Sequence, residues 1–110
     1  MRAWVHVELR EDQDSPVACE LGRWATFATL PRIGEEVFWS DDNYPGWSLT
    51  VSRVEHFLQP DEDESIVRVV MVDDGCEEMA DDDDPGWHIY RDLLLENGFK
   101  ITDCLWEADE

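Results

Sequence analysis

Basic residues are scarce in this 110-residue sequence, which has eight Lys and Arg against 28 Asp and Glu and a formal net charge of -20. A protein that binds the phosphate backbone of nucleic acid needs a basic stripe, and an anionic membrane repels a polyanion. We therefore expect neither direct nucleic-acid binding nor membrane binding. Such a charge favours basic protein surfaces or cations as partners.

Cysteines and long apolar runs are also scarce. Cys19, Cys76 and Cys104 show no C-x-x-C spacing, so neither a disulfide framework nor a zinc motif is indicated. The opening residues 1–6 lack the apolar core of a signal peptide, and the longest apolar stretch, residues 69–72, is too short to span a membrane. These features predict a cytoplasmic protein with reduced thiols.

Recognisable catalytic signatures are missing, since the sequence has no G-x-S-x-G, H-E-x-x-H or Cys-His pattern. His6 and His56 lie on predicted strands, and His88 lies in the first turn of a predicted helix. Glu8 should share a strand face with His6, and a carboxylate beside an imidazole suits acid–base chemistry. Histidines beside acids are also ordinary on strand surfaces. We therefore predict no catalytic residue and no cofactor.

A calcium-loop pattern is present in outline. Asp81, Asp83 and Asp92 fall at positions one, three and twelve of the template, with Gly86 at position six. Pro85 stands where position five should supply an oxygen ligand, and no predicted helix precedes the loop. We therefore predict loose cation binding to this acidic run but no specific metal site.

Apolar periodicity predicts a single α+β domain over residues 1–110, with a mainly antiparallel sheet or a partly closed barrel and one helix near the C-terminus. Strands are predicted around residues 3–9, 23–30, 36–39, 47–58 and 66–72, with a short last strand after residue 99. The phase of the fourth strand shifts near Ser52, which predicts a β-bulge. Asp84 and Pro85 fit a helix N-cap and first turn, and Gly98 fits its end.

The corner around Pro31, Gly34 and Val37 has the pattern P-x-x-G-x-x-V, and the bulged strand with Val51 and Val54 follows it. Over about residues 23–72 this arrangement resembles SH3-like small β-barrels. The resemblance implies a small-barrel fold and no particular function.

Two segments share the frame D-D-x-x-P-G-W, at residues 41–47 and 81–87. Pro-Gly suits the centre of a type II turn, in which the second residue has positive φ. Two interpretations remain open. The turns end in core tryptophans, or they are acidic loops that expose aromatic side chains of the kind found at interface hot spots.

The acidic residues cluster in blocks, with eight acids among the twelve positions 73–84. Carboxylates at a density comparable to DNA phosphates can occupy the DNA-binding groove of a protein. In size and charge the chain resembles the small phage-encoded DNA-mimic inhibitors of restriction and CRISPR systems. The resemblance implies a basic, nucleic-acid-binding protein as partner.

These observations predict an acidic, non-enzymatic domain that binds a basic protein surface. The predicted partner-binding residues are acidic or aromatic and are Asp41, Asp42, Tyr44, Trp47, Asp61, Glu62, Asp63, Glu64, Asp81, Asp82, Asp83 and Asp84. One alternative is a small-barrel interaction module whose acidity is solubilising or reflects a salt-adapted cell. A second is a weak hydrolase that uses His6 or His56 with nearby carboxylates.

Overall fold

The computed structural model describes residues 2–39, 47–58, 66–73, 76, 80 and 83–102. Within these ranges the chain forms six strands and one helix. The elements are β1 (Arg2–Leu9), β2 (Cys19–Thr26), β3 (Glu36–Trp39), β4 (Trp47–Phe57), β5 (Ile66–Asp73), α1 (Trp87–Glu96) and β6 (Lys100–Ile101). The predicted α+β class is confirmed.

The sheet is mixed, with strand order β3-β4-β5-β1-β2-β6. β1 and β5 are parallel, and every other recorded pair of neighbouring strands is antiparallel. No pairing joins the edge strands β3 and β6 within the described part of the chain, so the sheet is open there and the predicted barrel is not confirmed. The bulge is confirmed, because the register between β4 and β5 shifts between Val51 and Arg53.

One face of the sheet carries the hydrophobic core. Alternate residues of a strand point to opposite faces, so β1 sends Ala3, Val5, Val7 and Leu9 to the same side. All four are fully buried in one apolar cluster with residues of β2, β4 and β5. Helix α1 lies over this face, where Leu94 joins the cluster and Trp87 and Tyr90 pack against it.

The second strand begins four residues earlier than the sequence pattern predicts. Its boundaries follow β1, because Cys19 pairs with Leu9 and Thr26 pairs with Arg2. Thr26, the last residue of β2, thus lies opposite Arg2, the first residue of β1. The predicted bounds 23–30 are therefore wrong, although a strand through residues 23–26 is confirmed, because the partner strand β1 and not local alternation sets the ends of β2.

The start of α1 also differs from the prediction. The N-cap residue is Gly86, not Asp84, so the N-cap residue has no side chain that could accept a hydrogen bond from the first turn. The first N–H groups of the helix instead donate to the Glu11 carboxylate, from Gly86 at 2.9 Å and from Trp87 at 3.2 Å. This places a negative charge at the positive end of the helix dipole. Gly86 has φ -65°, so the predicted type II turn at Pro85 is wrong as well.

Two glycines adopt the left-handed backbone conformation. Gly98 has φ +86° and follows the last turn of α1, and Gly34 has φ +89° before β3. The Gly34 N–H donates to the Val51 carbonyl at 2.8 Å, which ties the corner to β4. The predicted helix end at Gly98 is confirmed. No described helix has the length and apolar character needed to cross a membrane.

Candidate functional site

The face of the sheet opposite α1 carries ordered polar and aromatic side chains, and we call it the polar face. It is formed by Trp4, His6 and Glu8 of β1, Glu20, Gly22 and Trp24 of β2, Arg53 and Glu55 of β4, and Arg68 and Val70 of β5. The register arranges them in rows across the sheet. Its charged groups lie beside fully or nearly fully buried residues such as Trp4 and Val70.

One row places two carboxylates directly opposite each other. Glu8 of β1 pairs with Glu20 of β2, and their side chains point to the same face. The neighbouring row places His6 opposite Gly22. His6, Glu8 and Glu20 each offer one ligand atom, and these atoms lie within 4.8 Å of one another. The predicted shared face of His6 and Glu8 is confirmed, whereas Glu20 was not selected from the sequence.

The His6 imidazole is 4% exposed, and its Nε2 lies 3.2 Å from Glu20 Oε1. Its other ring nitrogen, Nδ1, is buried and has no hydrogen-bond partner among the described residues. Buried polar atoms are rarely left in this state. The side chains of Glu8 and Glu20 are 12% and 38% exposed, so solvent reaches the cluster mainly from the Glu20 side.

Arginines neutralise the carboxylates on the other side of the polar face. Arg68 Nη2 lies 2.6 Å from Glu55 Oε1, and Arg53 Nε lies 3.5 Å from the same oxygen. Arg53 also reaches Glu8, with Nη1 3.7 Å from Oε1. Both arginines therefore form ion pairs with Glu55, whereas Glu8 has only the longer contact with Arg53.

The Trp4 indole occupies the space that a side chain at position 22 would need. A Cβ at Gly22 would lie 2.3 Å from Cζ2 of the Trp4 indole, so only glycine leaves room for that ring. Trp24 meets Trp4 edge to face at a centroid distance of 5.3 Å, and the Arg2 guanidinium lies 4.3 Å above the Trp24 ring. These contacts explain how Trp4 becomes buried on the face opposite the helix.

The predicted partner-binding residues fall mostly outside the described residues, where Asp41, Asp42, Tyr44, Asp61, Glu62, Asp63, Glu64, Asp81 and Asp82 lie. Trp47 is the first residue of β4. Asp83 and Asp84 are exposed just before α1, and Asp84 Oδ1 lies 3.4 Å from His88 Nδ1. Whether these residues bind a partner stays a prediction.

The described strand ends show where the acidic segments join the sheet. β1 and β5 are parallel and Leu9 pairs with Asp73, so both strands end at the same edge of the sheet, where the edge is the one formed by strand ends. β4 is antiparallel to β5 and to β3, so β4 starts and β3 ends at that edge as well. The segments that begin after these ends, residues 10–14, 40–46 and 74–84, hold twelve acids and one basic residue, Arg10. We call this the acidic edge. The block 61–64 instead joins the opposite edge, between the end of β4 and the start of β5.

The three histidines have different surroundings. His6 is buried in the cluster, His56 is exposed on β4, and His88 is partly exposed beside Asp84 in the first turn of α1. The predicted positions of all three on their elements are confirmed. Within the described residues, His6 alone belongs to a group of three potential metal ligands.

Comparison with known proteins identifies no relative. No protein-family model, curated protein or solved structure matches this chain.

Proposed function

We propose that this chain is a non-enzymatic, acidic protein-binding domain that engages a basic protein surface and occupies it in place of DNA. The observation that carries the proposal is the segregation of charge. Residues 61–64 and 73–84 hold twelve of the 28 acids and no Lys or Arg. The acidic blocks therefore contain no positive charge to offset their own, and the basic residues lie elsewhere in the chain.

The arginines support this separation through their contacts. Arg53 and Arg68 bind carboxylates of the polar face, and Arg91 binds its neighbour Asp92 at 3.0 Å. The Arg23 guanidinium donates to the Asn97 carbonyl at the end of α1. Cations held in such contacts neutralise the fold locally and leave the acidic edge strongly negative. A cleft lined by one sign of charge on a partner would then steer its association with this edge.

The spacing of the two acidic blocks suits an extended basic groove. β5 has eight residues, so the acidic edge and the edge that carries residues 61–64 lie about 26 Å apart at about 3.3 Å per residue. Duplex DNA carries phosphate charges continuously along its axis, so a groove that binds it is basic over distances of this size. The predicted residues of both blocks would contact one partner that spans the sheet.

The proposal is tested by competition. A basic DNA-binding protein captured on the immobilised chain at low salt is purified, and its affinity for the chain is measured with and without a DNA duplex. Mimicry predicts that duplex and chain exclude each other and that binding weakens steeply with ionic strength. A partner that binds both at once with unchanged affinities would end the mimic hypothesis. Failure to capture any basic protein would favour a solubilising role for the acidity.

A further inference from the structure

We propose that His6, Glu8 and Glu20 form a binding site for a divalent transition-metal cation of the zinc class. The inference is independent of the proposed protein-binding function, because it rests on the polar face and not on the acidic segments. One ligand atom from each of the three side chains lies within 4.8 Å of the other two. Three protein ligands with an open position for water are the usual arrangement of a reactive zinc site.

The first argument is the pairing of Glu8 with Glu20. Like charges directly opposite on neighbouring strands destabilise a sheet. Arg53 relieves Glu8 only in part, because its guanidinium is 3.7 Å away, is 43% exposed and is shared with Glu55. Glu20 has no arginine or lysine in an ion pair within the described residues. A cation bound between the two carboxylates would remove the repulsion.

The second argument is the state of the buried His6 ring. A neutral imidazole has one N–H donor and one lone pair. If Nε2 carries the proton and donates to Glu20, the lone pair of Nδ1 is buried without a partner. If Nδ1 carries the proton, the lone pair of Nε2 faces a carboxylate oxygen at 3.2 Å. In the second tautomer a metal ion bound at Nε2 would replace this repulsive contact with a bond to the ring and a bond to the carboxylate.

The separation of the ligand atoms fits a shared metal ion. Ligand atoms about 2.0–2.2 Å from a tetrahedral zinc ion lie about 3.3–3.5 Å from one another. The 3.2 Å between His6 Nε2 and Glu20 Oε1 is close to that separation. The Glu8 ligand atom lies within 4.8 Å of the other two, and the strand pairing holds its backbone opposite Glu20.

The ligand chemistry selects the class of ion. Calcium and magnesium prefer six or more oxygen ligands, whereas one imidazole with two carboxylates suits zinc, manganese, iron, cobalt or nickel. The acidic segments would also attract cations, but through oxygen atoms alone and without a histidine. Participation of His6 therefore distinguishes the proposed site from loose binding elsewhere on the chain.

The test uses Zn²⁺ alone, titrated calorimetrically into chelator-treated full-length protein. The buffer contains about 1 M NaCl, where the Debye length of about 3 Å screens loose binding. We expect one ion per chain, and at least about a tenfold loss of affinity in Glu8→Gln and in Glu20→Gln. Glu36→Gln is the matched control, because it makes the same change at an exposed strand position. Equal affinities in Glu8→Gln, Glu20→Gln and Glu36→Gln would overturn the proposal.

A second readout does not depend on the variants. Nitrogen-15 NMR of the histidine rings should show Zn²⁺ shifting one ring nitrogen of His6 at one equivalent, with His56 and His88 unchanged. Ca²⁺ at the same concentration should leave His6 unchanged. Zn²⁺ should also raise the thermal unfolding midpoint of the native chain, and Glu20→Gln should abolish that increase. An unchanged His6 spectrum at saturating Zn²⁺ would show that the cluster is an ordinary ion pair.

Discussion

Arg68 and Glu55 form a short ion pair across strands β5 and β4, with Nη2 2.6 Å and Nε 2.8 Å from the same carboxylate oxygen. The Arg68 side chain is 10% exposed, so the carboxylate of Glu55 replaces much of the solvation that its charge loses on burial. A charged group that is buried and loses its partner bears a desolvation penalty. The pair therefore holds the polar face in its present arrangement.

Replacement of Glu55 by Gln should lower the free energy of unfolding by about 1–3 kcal/mol, because Arg68 is left without its carboxylate. This loss of unfolding free energy is smaller than the loss expected for a fully buried ion pair, because Glu55 is 31% exposed and solvent screens its charge. Urea unfolding measures the change, with Glu36→Gln as the exposed control. A loss no larger than that of the control would show that Arg68 is solvated in solution.

The contact between Trp4 and Gly22 predicts non-additive substitutions. Gly22→Ala should cost about 1–3 kcal/mol through overpacking against the indole. In a Trp4→Leu background the added methyl group has space, so the cost of Gly22→Ala should be smaller. Gly34→Ala should instead cost about 1–2 kcal/mol in both backgrounds. The cost there comes from the backbone φ of +89°, since no atom lies close enough to clash with an added Cβ. A double-mutant cycle in which Gly22 and Trp4 are additive would contradict the contact.

The packing of α1 is tested by two adjacent leucines. Leu94 is fully buried in the core cluster, whereas Leu95 is 40% exposed. Leu94→Ala should lower the free energy of unfolding by about 2–5 kcal/mol, the range for a buried leucine. Leu95→Ala should change it by about 0.5 kcal/mol or less. Similar losses in the two variants would mean that the helix does not rest on the sheet through this face.

The thiol of Cys76 should be inert in the folded protein. Burial, together with the nearby carboxylates of Asp73 and Glu11, raises its pKa to about 12. At neutral pH the reactive thiolate is then suppressed. Iodoacetamide labelling followed by peptide mass spectrometry should show Cys76 modified slowly in the native state and rapidly in denaturant. Equal rates in both states would contradict its burial.

The two acidic blocks offer a matched comparison for the binding proposal. Neutralising Asp81, Asp82, Asp83 and Asp84 to their amides removes four charges from the acidic edge, and the same change at 61–64 removes four from the opposite edge. Both variants should slow association with a basic partner more than they speed dissociation. Stopped-flow kinetics at two ionic strengths measure this. Unchanged association rates in both would remove charge steering from the proposal.

Much of the strand pattern was predictable from local sequence. Alternation located β1 and β4, the apolar run located β5, and the three-residue step before Val54 located the bulge. Trp87, Tyr90 and Leu94 recur at helical spacing, so the face of α1 that packs on the core can also be predicted from the sequence. These features depend on side-chain periodicity within one element, so a single segment contains the information needed.

Pairing between distant segments was not predictable in this way. The parallel alignment of β1 with β5 joins residues more than 60 positions apart, and nothing within either strand specifies its partner. Glu11 caps α1 from a position 75 residues before Gly86, so the local Asp84 pattern was misleading. The start of β2 likewise follows the length of β1 and not its own alternation.

The sequence by itself determined the net charge, the identity of the acidic blocks and the faces of the main strands, because composition and periodicity are local properties. The tertiary structure alone decided that Glu20 stands opposite Glu8, that His6 is buried beside them, and that three acidic segments join the same edge of the sheet. Strand register is the physical reason. A shift of one residue along β2 would turn Glu20 to the other face and separate the three side chains.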